Sequence, residues 1–94
     1  MQTIHLQGIG KVEAKPAQEF QIGEFILWNF GSQSKIVGIA KETKAFITFK
    51  LEYPLSGRRD WADTGTSERR LKKSRLVGIG SEEIVKKYHK NYKA

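Results

Sequence analysis

Between Ala45 and Tyr53 every second residue is apolar: Ala45, Ile47, Phe49, Leu51 and Tyr53 alternate with Thr48, Lys50 and Glu52. A period of two belongs to a β-strand with one face in a core and the other in water, so this stretch cannot be read as a helix. Phe46 is the exception to the alternation, and is read as packing under a terminus or contributing to a surface. Pro54 closes the strand because it has no amide proton to give to a ladder.

Strands are expected on both sides of this one. In Phe20–Phe30, Ile26, Trp28 and Phe30 share one face and Phe25 and Leu27 the other, the pattern of a strand covered on both sides. Trp28 is read as core, and Asn29 as buried and bonded to a turn backbone. Residues 31–34 (Gly-Ser-Gln-Ser) read as a turn, Lys35–Ala40 as a β-branched strand, and Lys41–Lys44 as a polar hairpin connection. After a long loop over Leu55–Thr66, Ser67–Leu71 reads as a short strand, Lys72–Arg75 as a tight turn and Leu76–Ile79 as a last strand. At the other end, Thr3–Leu6 and Ile9–Val12 read as one opening strand interrupted at Gly8. Gly-Ile-Gly occurs at 8–10 and again at 78–80, where glycine marks bends or close backbone approach; neither has the setting of a phosphate-binding glycine loop.

A chain of 94 residues makes one domain with one modest core. It has no cysteine, so neither disulfides nor thiolate-bound zinc can hold it, and packing must do so. His5 and His89 stand at opposite ends without a third ligand nearby, so no metal site is expected. No apolar run approaches the ~20 residues that span a bilayer, and no signal-peptide pattern opens the chain, so the expectation is a cytoplasmic protein without membrane association. From Ser81, read as an N-cap, a basic amphipathic helix is expected over 81–94, with Glu82 and Glu83 in its first turn and Ile84, Val85, Tyr88 and Tyr92 along its docking stripe.

Short strands, close turns and a terminal helix predict a mainly β fold: a small barrel of about five strands over 1–80, with the helix packed on it. Phe20-Gln21-Ile22-Gly23-Glu24 resembles the hydrophobic-x-hydrophobic-Gly-acidic turn of SH3-like small barrels, the class that includes KOW and Tudor domains. Leu71–Val77 is similar to the helical turn before their final strand. The resemblance covers roughly 18–80 and is one of fold. It implies a binding module, without the tyrosine and Trp-Trp signature of a proline-rich-peptide groove or the aromatic cage of a methyl-lysine reader. Small barrels of this kind also resemble bacterial and phage proteins, which admits a mobile-element role.

Charge indicates what such a module would bind. Residues 58–94 carry eleven basic and five acidic side chains, a surplus of six out of the chain's net +7. Net charge so unevenly placed speaks of an anionic partner. The expected nucleic-acid-binding residues are Arg58, Arg59 and Trp61 on the long loop and Arg69, Arg70, Lys72, Lys73 and Arg75 after it, with Lys86, Lys87 and Lys90 of the helix secondary. Arginine and lysine meet phosphates, and an indole can stack on an unpaired base. As strand neighbours, Arg69 and Arg70 must point to opposite faces. The expected function is non-enzymatic binding of DNA or RNA, without cofactor, by a monomer or weak homodimer. The alternative is docking of an acidic protein, such as a host factor. Less favoured is a metal-dependent nuclease using Asp60, Asp63, Glu68 and Glu52.

Overall fold

The computed structural model describes residues 2–54, 61 and 64–88. Its strands are β1 (Thr3–Leu6), β2 (Gly10–Pro16), β3 (Phe25–Leu27), β4 (Gln33–Glu42), β5 (Phe46–Pro54), β6 (Thr64–Lys72) and β7 (Leu76–Ile79), followed by helix α1 (Glu82–Tyr88). The expected mainly β class with a terminal helix is found. The strand number is corrected: among the described residues seven antiparallel strands form one open sheet in the order β1-β2-β7-β3-β4-β5-β6, instead of a closed barrel of five. No helix among them is long and apolar enough to cross a membrane.

The sheet is open but cannot be flat. β6 and β7 lie four strand positions apart, about 19 Å in a flat sheet, yet only residues 73–75 join them, and four Cα steps span at most about 14 Å. The sheet therefore curls until its β6 edge approaches β7. Arg75 N–H donates to Lys72 O to close the link as a tight turn, Ala17 N–H donates to Arg75 O, and Lys73 N–H donates to Ala45 O. The concave face fills with Ala17, Phe20, Ile26, Ile36, Ile47, Phe49, Leu51, Leu71 and Val77, with Trp28 and Ile79 packed against them. Ile47, Phe49 and Leu51 supply the inward side of β5 as the alternation predicts. Ala45 does not join them; it is exposed in the turn before β5, where Thr43 Oγ1 accepts the Phe46 amide.

Two expected strands are rebuilt. The interrupted opening strand is a hairpin, β1 paired with β2 from Thr3↔Glu13 to Leu6↔Gly10, because Gly8 turns the chain at φ +80°. The long strand over Phe20–Phe30 contracts to Phe25–Leu27. Before it, Glu24 N–H donates to Gln21 O and the Glu24 carboxylate accepts the Gln21 amide, closing a turn. After it, Phe30 at φ 62° and Gly31 at φ +83° bend the chain out of strand geometry. The remaining strand is covered on both sides as expected, with Phe25, Ile26 and Leu27 all buried. Gly78 shows why a glycine stands in β7: a Cβ there would lie 2.6 Å from Leu27 O of the neighbouring strand.

On the convex face Phe25, Trp61 and Val85 form a second, smaller cluster. Ser81 caps α1, its Oγ accepting the Ile84 amide at 3.2 Å, and Val85 is the residue the helix buries. The predicted cap is found, and of the predicted stripe Val85 is buried and Ile84 half-buried; the Tyr88 side chain and the predicted extension over 89–94 lie outside what is described.

Candidate nucleic-acid interface

Trp28 follows β3 directly and its side chain packs against the concave core, where Nε1–H donates to Ser34 Oγ at 3.0 Å. That bond fixes the plane of the ring. The chain then makes a tight loop, with Trp28 N–H donating to Ser32 O at 2.7 Å. The hairpin tip is stapled to the loop from outside: Gln7 N–H donates to Asn29 Oδ1 and Phe30 N–H donates to Gln7 O. Asn29 thus bonds a turn backbone, as expected, but is exposed rather than buried. A Cβ on Gly8 would overlap the Phe30 ring, which itself is 55% exposed and held in the left-handed region that large side chains avoid.

Over Trp28 lies Arg69 of β6, its guanidinium carbon 4.5 Å from the ring centroid. Register places it there: Arg69 faces Phe49 and Leu71 faces Ile47 across the β5–β6 ladder, so Arg69 falls on the concave side one step beyond the core. Arg70, its neighbour, turns to the convex side and sits 4.6 Å over Phe46. The two arginines do point to opposite faces, and each covers an aromatic ring. Phe46 is half-buried under that guanidinium rather than under a terminus.

Two clefts meet at the Trp28–Arg69 pair. One, of about 240 Å³, is lined by Ser32, Ser34, Tyr53 and Ser67 as well as the pair; the other, of about 610 Å³, adds His5, Asn29 and Arg75. Among the described residues neither wall carries a carboxylate. Among the described residues the ion pairs found are Lys15–Glu24 and Lys73–Glu42, and neither engages Arg69 or Arg75. The concave mouth is therefore an indole and two guanidinium groups, without a carboxylate partner among the described residues, beside several hydroxyls, a surface suited to an anion with planar parts.

The residues predicted from sequence scatter about this mouth. Arg69 and Arg75 line it. Arg70 and Lys72 project from β6 on the other face, where Lys72 pairs in register with Phe46. Lys73 is engaged by Glu42 at 2.7 Å. Lys86 and Lys87 are exposed in the last turn of α1, on the element docked to the convex face. Trp61 lies in the convex cluster, 7% exposed, its ring edge-on to Phe25 and its Nε1–H donating to Glu52 Oε1 at 3.3 Å. Arg58, Arg59 and Lys90 lie outside the described residues.

Trp28, read from sequence as core, packs against the core but is only half-buried, with its other side under Arg69. The signal that could have found it is the residue before a turn: a large aromatic at a strand end stands at the rim of a core as often as inside it. Glu52, assigned to a metal cluster in the nuclease reading, accepts the Trp61 indole instead. Asp60 and Asp63 lie outside the described residues, and no three His, Asp or Glu side chains gather among those described.

Gln33 is buried at 1% exposure on β4, and neither amide atom finds a partner among the described residues. Its side chain turns away from Ser34 to the convex side, where Gly80 leaves room for it: a Cβ on Gly80 would overlap Gln33 Oε1. No protein-family model, curated protein or solved structure matches the chain.

Proposed function

We propose that the protein is a non-enzymatic nucleic-acid-binding module, a curled β-sheet of SH3-like kind that grips the phosphate backbone at its concave mouth. The observation carrying this reading is the meeting of two clefts at Arg69 and Trp28, one of them also lined by Arg75, with no carboxylate among the described residues of their walls. Two guanidinium groups to which the described residues supply no counter-charge, in a concave, aromatic-lined surface, favour a polyanion, because each phosphate they neutralise releases counterions to the solvent. The chain's net charge of +7 acts in the same direction over longer range.

The test is binding of a labelled oligonucleotide across a salt gradient. Affinity should fall steeply with salt, and Arg69→Ala combined with Arg75→Ala should lower the slope of log K against log salt by about two. Arg58→Ala with Arg59→Ala should lower it further if the long loop contributes. Binding that ignores salt, or a complex that survives nuclease treatment as a protein–protein pair, would replace this reading with that of a module for an acidic protein.

A further inference from the structure

An exposed arginine ordinarily samples many rotamers, and its guanidinium offers a charge without a fixed plane. Arg69 differs because of what lies beneath it. The core holds Trp28, Ser34 Oγ holds the indole N–H, and the indole face carries the guanidinium at 4.5 Å. The result is a layered support running from the packed interior outward to a cation whose other side is open, since Arg69 is exposed and has no carboxylate partner among the described residues.

A guanidinium plane so supported is what an unpaired nucleobase stacks on, since bases stack on arginine planes as well as on aromatic rings. Ser32, Ser34 and Ser67 beside it offer hydroxyls to a base edge, and Arg75 across the second cleft offers a charge to the backbone. Bases inside a duplex already have both faces covered by their neighbours, so a stacking platform has value only for a single strand. Building on the nucleic-acid reading, we infer that the Arg69–Trp28 pair is a stacking platform for one unpaired base and that the site selects single-stranded over double-stranded nucleic acid.

The experiment compares four labelled probes of equal length by fluorescence anisotropy: oligothymidylate, oligouridylate, a duplex, and an abasic strand that keeps every phosphate but no base. At least one of the base-bearing single strands should bind about 5- to 150-fold more tightly than the abasic strand, the ratio one stacked base supplies. The duplex, although its denser phosphates favour it electrostatically, should bind less tightly than that base-bearing strand. Arg69→Lys keeps the charge and discards the plane; it should erase the preference for bases, so that base-bearing and abasic strands bind it equally. As a surface substitution it also avoids the folding risk of Trp28→Leu, which should act the same way. Equal binding of base-bearing and abasic strands, or a preference that survives Arg69→Lys, overturns the platform while leaving the nucleic-acid reading intact. Failure of every probe to bind removes both.

Discussion

The two tryptophans sit on opposite faces of the same curled sheet. Each gives its indole N–H to a neighbour, Trp28 to Ser34 and Trp61 to Glu52. Trp61 meets Phe25 edge-on and is nearly sealed, whereas Trp28 is half-buried and lies under Arg69 at the junction of two clefts. From sequence Trp61 was offered to a ligand among arginines and Trp28 assigned to the core; Trp61 is nearly sealed, and Trp28 does pack against the core while its outer side lies under Arg69. An indole's surroundings in the chain say little about which of its faces will be covered. What decides is the neighbour that register brings across the sheet, here a cation for one ring and a phenyl edge for the other.

The comparison can be broken most forcefully at the convex cluster. Trp61→Ala should cost about 3–5 kcal/mol of stability, read from the shift of the urea midpoint, because it empties a buried site. At a temperature where the variant stays folded, its nucleic-acid affinity should match that of the parent. A large loss of affinity without a loss of stability would instead make Trp61 the ligand-facing indole.

Gln33→Met probes the same face with the opposite sign. Burying an amide with both atoms unpaired costs about 1–3 kcal/mol, and an unbranched apolar side chain of similar length removes that cost without leaving a hole. The urea midpoint should rise. A fall would mean that the amide has a partner, most simply a buried water.

The smallest effect separates a compensated cation from an uncompensated one. Lys73→Gln removes a lysine engaged by Glu42, a partly exposed pair worth at most about 1 kcal/mol, and should leave the salt slope of binding nearly unchanged. Arg75→Gln should lower that slope by about one. Equal slopes for the two variants would place the phosphate path outside the concave mouth.

Much of the sheet was legible because its signals are local. The period-two run fixed the inward residues Ile47, Phe49 and Leu51, and the face alternation of Phe25–Leu27 announced a strand buried on both sides. Ser81 announced the start of α1. The errors have common physical causes. Turns that depend on backbone handedness, at Gly8 and at Phe30–Gly31, looked like continuations of strands, and only the folded chain shows their positive φ. In β4 the register shifts between Ile36 and Gly38 and between Ile39 and Lys41, leaving Val37 and Ile39 exposed although their β-branched side chains suggest burial. The site was legible only in part: Arg69 and Arg75 were selected by charge, but Trp28, Ser34 and Tyr53 come from strands distant in sequence and meet them only through the curl.

The amino-acid order alone determined that this chain is a small mainly β domain with a capped terminal helix and a strong basic surplus, since each property is set by periodicity or composition within a few residues. The curl of the sheet, the face that each arginine takes and the identity of the ring beneath it were decided by tertiary structure. These depend on strand register and on a three-residue link too short for a flat sheet, and no local window of sequence contains either.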